Sequence, residues 1–262
     1  MRFSRGVRGF FALITGFVMV FLYLPLAMVL LLSFNTATSL SFPPKGLTLK
    51  WWSNAVDNPG ARSALWTSLQ VALGATLVAL VLGSLAAFAV QRFRFFGRDT
   101  LSLMIVLPIA LPGIVTGIAL NAAFRQVGLP FGMLTLIIAH ATFCIVVLYN
   151  NMLARLRRLS PNLEEASADL GADTFQTFRF VTFPLVRTAL LAGGLLAFGL
   201  SFDEIVVTNF TSGAGLQTLP LWILNNLSRG EQAPIVTVVA SAVMVSSILP
   251  VWLAQRLAGG GS

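Results

Sequence analysis

Carboxylates are the side chains of this sequence with the clearest capacity for chemistry, and they concentrate at two places. Four of the nine acids lie in the polar segment 153–187: Glu164, Glu165, Asp169 and Asp173. Two more, Asp203 and Glu204, interrupt an apolar segment. Such carboxylates can bind cations or form ion pairs. No Ser-His-Asp set or pair of catalytic carboxylates indicates an enzyme, so we expect binding or transport chemistry.

The composition is that of an integral membrane protein. Of the 262 residues, 56% are hydrophobic and only 10% are charged, whereas soluble domains carry about 25% charged residues. The mean hydropathy is +0.86. The net charge of +8 does not indicate nucleic-acid binding, because the basic residues flank apolar segments.

Six apolar segments are long enough to cross a bilayer, which takes about 20 residues. They are Phe10–Leu32, Leu65–Val90, Leu101–Phe124, Met133–Leu153, Thr188–Phe210 and Pro234–Leu257. The first is longer than the apolar core of a signal peptide, about 7–15 residues, so we expect a retained helix.

The distribution of basic residues predicts the orientation. With both termini inside, twelve of the seventeen lysines and arginines lie on the inner side and five on the outer side. Since basic residues accumulate in cytoplasmic loops, we predict an N-in, C-in topology. The polar segment 153–187 then lies in the cytoplasm.

The first half of the polar segment predicts a short helix. Ser160 is a suitable N-cap, and Pro161 fits the first helical position because its missing N–H has no partner there. Glu164 and Glu165 follow near the helix start, where negative charge favours the helix dipole. Gly171 tolerates the left-handed conformation that ends a helix.

A second short helix follows. Asp173 and Gln176 form a near capping box at its start. Apolar residues follow at helical spacing: Phe175, Phe178 and Val181. Pro184 is expected to end this helix or to kink it.

The same segment resembles the EAA motif of the permease subunits of ABC importers. Glu165-Ala166-Ser167, three residues, Gly171, nine residues and Val181-Thr182-Phe183-Pro184 match Glu-Ala-Ala, three residues, Gly, nine residues and Ile, any residue, Leu-Pro. The sequence departs at Ser167, Val181 and Phe183, with the spacing intact. The resemblance implies a coupling helix that sits in a cleft of the cytoplasmic ATPase. The alternative is an amphipathic loop on the membrane surface.

The residues expected to serve that coupling follow from the motif and its two helices. They are Glu164, Glu165, Ala166, Asp169, Gly171, Phe175 and Pro184.

The acidic pair of the fifth segment carries a second resemblance. Residues 201–213, with Asp203 and Glu204, and Leu219-Pro220-Leu221 look like the spermidine/putrescine branch of these importers. This implies a substrate pathway for a polycation. From the residues alone, neighbours on a helix point about 100° apart, so one carboxylate could bind a cation while the other pairs or caps. The alternative is a structural helix end.

Taken together, the resemblance implies an all-α integral membrane protein with six transmembrane helices and the type I ABC importer permease fold. Residues 1–258 would form one domain, and 259–262 a flexible linker. Expected partners are two ATPase subunits, a second homologous permease of different sequence, a periplasmic substrate-binding protein and the lipid bilayer of a bacterial inner membrane, but no nucleic acid.

Cofactors are expected only on the partner. Neither Lys45 nor Lys50 fits a Walker A loop, so ATP and Mg²⁺ would be bound by the ATPase subunit. Three alternatives remain at this stage: an importer for another small solute (an opine, another amine compound or ferric iron), an ion-coupled secondary transporter, and a membrane scaffold.

Several single residues have less specific expectations. His140 is expected to be a hydrogen-bonded core residue, and the single cysteine, Cys144, excludes a disulfide framework within the chain. Three polar residues could join helices or line a route: Gln70, Thr116 and Asn121. A short interfacial helix is expected within 48–56.

Overall fold

The computed structural model describes residues 5–39, 41–160 and 162–248, together with Trp252 and Arg256. Every regular element among these residues is helical. In chain order they are α1 (Arg5–Leu32), α2 (Lys50–Val56), α3 (Pro59–Arg92), α4 (Arg98–Ala110), α5 (Gly113–Gln126), α6 (Met133–Leu156), α7 (Asn162–Asp169), α8 (Thr174–Thr177), a π-helical turn (Phe178–Thr182), α9 (Phe183–Asp203), α10 (Val206–Thr211), α11 (Leu219–Leu227) and α12 (Ala233–Ser246).

Four helical runs are long and apolar enough to cross a membrane: Gly6–Leu32, Pro59–Arg92, Met133–Leu156 and Thr174–Asp203. The bent pair α4 and α5 makes a fifth candidate. An all-α, multi-pass membrane protein is therefore confirmed.

The sixth predicted span is only partly described. Its described helix, α12, has 14 residues, and most of the remaining predicted positions up to Leu257 lie outside the described residues. The linker predicted at 259–262 and the helix start predicted at Pro161 also lie outside them.

The third predicted span, Leu101–Phe124, is not one helix. α4 ends at Ala110, Leu111 is extended (φ −86°, ψ 146°), and α4 and α5 enclose a bend of 110°. Leu111 precedes Pro112, and a residue before proline is driven out of the helical region by the proline ring. The predicted span is thus divided by a full break.

The described residues divide into two compact units, of which the first contains 5–62 and 223–248. In it, the Ser241 hydroxyl of α12 donates to the Val29 carbonyl of α1 at 3.4 Å. The predicted short helix within 48–56 is confirmed as α2. The Trp51 indole N–H donates to the Asn35 carbonyl at 3.0 Å, which fastens α2 to the chain that follows α1.

The second unit, 63–222, is built around α6, which contributes a large share of its buried side chains. α6 packs against α4, α9 and α10. Small residues let the helices approach closely: a Cβ added at Gly193 of α9 would lie 2.7 Å from the Leu148 side chain of α6. Close backbone approach at small residues is the usual basis of helix packing in membranes.

Candidate functional site

The turn between the two helices of the polar segment has the conformation that the sequence predicts. Gly171 has φ +84°, the left-handed region that favours glycine. Asp173 caps α8: its carboxylate accepts from the Gln176 amide at 2.8 Å, and the Gln176 side chain accepts from the Asp173 amide at 3.0 Å. The Ser167 and Thr177 hydroxyls, 3.0 Å apart, join α7 to α8. The two helices therefore form one small folded segment.

Glu164 attaches this segment to a membrane-spanning helix. Its carboxylate pairs with Arg92, the last residue of α3. The buried Thr182 hydroxyl donates to the same carboxylate at 2.7 Å. The Phe178 ring adds an edge contact to Phe88 of α3, with centroids 6.0 Å apart. The segment is therefore in direct contact with α3.

Other residues of the predicted coupling set face outward. Glu165, Ala166 and Asp169 are exposed, as are Leu170 (90%) and Phe175 (67%). Phe178 of the predicted apolar stripe is less exposed, at 40%, and its ring contacts Phe88. Exposed apolar side chains beside acids form a surface that could dock on a partner.

Pro184 does not end the second helix, so the first of the two outcomes expected from the sequence, an end or a kink, is wrong. Helical structure runs from Thr174 to Asp203, and Pro184 lies in the first turn of α9. The turn before it, Phe178–Thr182, is π-helical, and the Phe183 amide donates to the Phe178 carbonyl. Because proline has no N–H to donate, this local change of register accommodates it without ending the helix.

The acidic pair lies at a break of the fifth predicted span. α9 ends at Asp203, Glu204 is extended (φ −71°, ψ 123°), and α10 begins at Val206. Hydropathy predicts a single span over Thr188–Phe210. The structure instead has two helices there, α9 and α10. Glu204 is half-buried, and its carboxylate accepts from the Val207 amide at 2.8 Å. This bond satisfies an otherwise unpaired amide in the first turn of α10.

The Asp203 side chain is exposed and forms no hydrogen bond or ion pair with the part of the chain that is described. The two carboxylates thus have different environments: Glu204 caps a helix, and Asp203 remains available to a cation.

His140 of α6 bridges this break. Its two ring nitrogens lie 2.8 Å from the Ser201 hydroxyl and 2.9 Å from the Thr208 hydroxyl. Ser201 belongs to α9 and Thr208 to α10, and all three side chains are buried. The expectation of a hydrogen-bonded core histidine is confirmed. Its bridging position could not be inferred from sequence, because its partners lie 61 and 68 residues away.

α10 also packs against α5, the second half of the other broken span. The Asn121 amide donates to the Phe210 carbonyl, which confirms a helix-joining role for Asn121. A Cβ added at Gly117 would lie 2.7 Å from the Phe210 ring. The hydroxyl of Thr116 is buried and has no hydrogen-bond partner among the described residues.

The predicted site residues therefore form two groups at opposite ends of α9. The coupling residues lie before or at its first turn, and Asp203 is its last residue. A helix of this length spans about 30 Å at 1.5 Å per residue. α9 thus connects the two groups through one continuous helix.

Known proteins resemble this chain over most of its length. It is 34% identical over 254 residues to the putrescine transport system permease protein PotI of Escherichia coli (strain K12), covering 93% of this chain and 89% of that protein. It is 33% identical over 238 residues to the spermidine/putrescine transport system permease protein PotC of the same strain, with 91% and 89% covered.

A further relative is the putative 2-aminoethylphosphonate transport system permease protein PhnV of Salmonella choleraesuis (strain SC-B67). It is 30% identical over 246 residues, with 90% of this chain and 92% of that protein covered.

A solved structure has the same fold. A chain from the crystal structure of a bacterial ABC transporter involved in the import of the acidic polysaccharide alginate superposes with a TM-score of 0.74. The match covers 100% of this chain and 99% of that chain, at 18% identity. This likeness shows the fold and nothing about the solute.

The family described as "Binding-protein-dependent transport system inner membrane component" matches residues 79–259. That range includes the polar segment, the broken fifth span and the helices around α6. The chain therefore belongs to the binding-protein-dependent transport system inner membrane components.

Proposed function

We propose that the chain is a permease subunit of an ATP-driven bacterial importer, and that it carries a polyamine such as putrescine or spermidine across the inner membrane. The choice of a cationic solute rests on the environment of Asp203. Its carboxylate is exposed at a helix break and has no partner among the described residues. The names of two relatives at 33–34% identity support the same choice.

The surface formed by Leu170 and Phe175 beside Glu165, all exposed, is proposed to dock on an ATPase subunit. Two such subunits would bind ATP and Mg²⁺, and this chain would bind neither. A second permease of different sequence would complete the membrane pathway, and a periplasmic binding protein would deliver the solute. Family membership favours this assembly over an ion-coupled secondary transporter.

In the proposed mechanism, ATP binding closes the ATPase dimer and displaces the segment 161–183. Glu164 transmits the displacement to α3 through Arg92, and the π-helical turn transmits it to α9. The permease pair then turns between inward- and outward-facing states as a rigid-body rearrangement. Asp203 at the far end of α9 would experience that motion directly.

A second candidate solute has a specific observation in its favour. The relative named for 2-aminoethylphosphonate transport is 30% identical over 90% of this chain. That compound shares an ammonium group with the polyamines but also carries an anionic phosphonate. An unpaired carboxylate at the pathway favours the purely cationic solute, because it would repel the phosphonate.

The test is ATP hydrolysis by the complete assembly in lipid, with its binding protein and a panel of solutes. We expect stimulation by putrescine or spermidine, and less stimulation with Asp203→Asn. Stimulation by 2-aminoethylphosphonate alone would retain the importer and overturn the polyamine assignment. Failure of any ATPase to co-purify would overturn the importer itself.

A further inference from the structure

The loop between α3 and α4 presents an unusual surface, Phe93-Arg94-Phe95-Phe96-Gly97-Arg98, here called the arginine–phenylalanine loop. The rings of Phe93 and Phe96 are largely exposed, at 64% for Phe93 and fully for Phe96. The Arg94 and Arg98 side chains form no ion pair or hydrogen bond with the residues that the structure describes. These side chains therefore contribute little to holding the chain together.

Between them the loop and the start of α4 form an open cleft of about 340 Å³. Its lining includes Arg94, Arg98 and one acid, Asp99. Two guanidinium groups outweigh one carboxylate, so the cleft carries net positive charge. Guanidinium groups bind phosphate oxygens well because their N–H groups form a planar fork.

The position of the loop restricts what can occupy the cleft. Residues 93–97 are the only link between α3, a membrane-spanning helix, and α4, half of the bent pair. Five residues reach at most about 18 Å when fully extended. The loop must therefore stay near the boundary between membrane and water. The segment with α7 and α8 is much longer and can reach further into water.

We propose that the arginine–phenylalanine loop binds the headgroup of an anionic phospholipid. Arg94 and Arg98 contact the phosphate, and the exposed rings of Phe93 and Phe96 lie among the first acyl carbons. Interleaved aromatic and basic residues at the interface match this layered environment. Basic pockets beside membrane helices on the cytoplasmic side bind anionic headgroups in the same way.

The site has a consequence for coupling. Arg92 immediately precedes the loop and holds Glu164 of α7. A lipid bound at Arg94 and Arg98 would fix the end of α3 at the membrane surface. It would thereby fix the position of Arg92, through which Glu164 of the segment 161–183 contacts α3. The inference rests on the membrane location of the chain and not on the identity of the solute.

The experiment titrates the full chain in neutral detergent with phosphatidylglycerol or with phosphatidylcholine of the same acyl chains, and measures bound lipid by native mass spectrometry. We expect preferential binding of phosphatidylglycerol. In Arg94→Gln/Arg98→Gln its affinity should fall about 30-fold, since each basic residue near an anionic surface contributes about 1 kcal/mol.

Two variants separate this effect from misfolding and from general charge loss. Arg94→Lys/Arg98→Lys keeps the charge but loses the planar fork, so its affinity should lie between those of the unchanged protein and Arg94→Gln/Arg98→Gln. Arg157→Gln/Arg158→Gln removes the same charge from an exposed pair beyond α6 and should leave the lipid preference unchanged.

Equal affinity for the two lipids would overturn the proposal, as would an equal loss in the Arg157/Arg158 variant. A third overturning result would be unchanged lipid binding in Arg94→Gln/Arg98→Gln together with lost co-purification of the ATPase. That result would assign the surface to the ATPase.

Discussion

Glu164, in the first turn of α7, pairs with Arg92, the last residue of α3. The motif that identifies this segment centres on Glu165, which is exposed. The two neighbouring acids therefore have different environments: Glu164 binds the segment to α3, and Glu165 faces outward. For the proposed coupling role, this arrangement keeps the segment attached to α3 while Glu165 stays accessible to a partner.

Breaking the Arg92–Glu164 pair should weaken coupling without unfolding the protein. Both side chains are about one-third exposed, at 35% and 36%, and exposed pairs contribute only about 0.2–1 kcal/mol. Arg92→Glu should therefore fold but lower the solute moved per ATP hydrolysed. Arg92→Glu/Glu164→Arg should recover much of the ratio in proteoliposomes. A normal ratio in Arg92→Glu would show that the pair has no part in coupling.

The bend at Gly171 predicts a second uncoupled variant. Gly171→Val must place a β-branched residue at φ +84°, which costs roughly 1–3 kcal/mol. A Cβ there meets nothing within 4 Å, so the effect comes from the backbone and not from a clash. We expect ATP hydrolysis to continue while transport falls. Gly171→Asn is the matched control, because asparagine tolerates this conformation; if the two variants behaved alike, the conformation would be irrelevant.

His140 should be a determinant of stability. His140→Leu leaves the buried Ser201 hydroxyl without its partner and removes one bond of Thr208. A buried unsatisfied group costs about 1–3 kcal/mol, which at about 2–4 °C per kcal/mol for a chain of this size corresponds to a fall in melting temperature of about 2–12 °C. Thermal unfolding in detergent measures this. Asn209→Leu, an exposed change on α10, should shift the melting temperature by less than about 2 °C; an equal shift would rule out the bridge.

Two glycines should respond oppositely to the same substitution. In Gly213→Ala the new Cβ would collide with the backbone carbonyl oxygen of Phe131, which cannot move aside as a side chain can. In Gly199→Ala it meets nothing within 4 Å, and alanine within a helix stabilises by roughly 0.5–1 kcal/mol over glycine. The melting temperature should fall in the first variant and rise in the second. A rise in both would mean that the chain at Gly213 packs more loosely.

Local chemistry explains which features of the segment 153–187 could be predicted. Gly171 and the Asp173–Gln176 capping box depend on atoms within three residues, so the sequence alone predicts them. The break at Glu204 depends on α10 packing against α5 and on His140, whose bonds join distant parts of the chain. Hydropathy averaged over a whole span does not detect the break, because apolar residues lie on both sides of it. The acidic pair Asp203-Glu204 does indicate it, and the alternative of a helix end there agrees with the end of α9.

Two other features that hydropathy does not predict are nevertheless indicated by prolines in the sequence. α11 was not predicted, yet Pro220 in its first turn is a typical start signal. Hydropathy gives no sign of the break at Leu111, although Pro112-Gly113 combines two residues that interrupt helices. The π-helical turn before Pro184 had no signal, since a proline predicts disruption but not the register by which a helix accommodates it.

The different environments of Asp203 and Glu204 lead to the last prediction. Asp203→Asn removes an exposed charge that has no partner among the described residues, so stability should change little while the solute concentration for half-maximal ATPase stimulation rises. Glu204→Gln keeps an oxygen that can accept from the Val207 amide, so it should fold normally.

Glu204→Leu completes the comparison. It loses the cap of α10 and should lower stability by about 0.5–2 kcal/mol, the usual cost of losing a helix cap. Solute titration and thermal unfolding of the three variants therefore separate the two roles. A large loss of solute response in Glu204→Gln with none in Asp203→Asn would reverse the assignment, because the capping residue would then be the one that binds the cation.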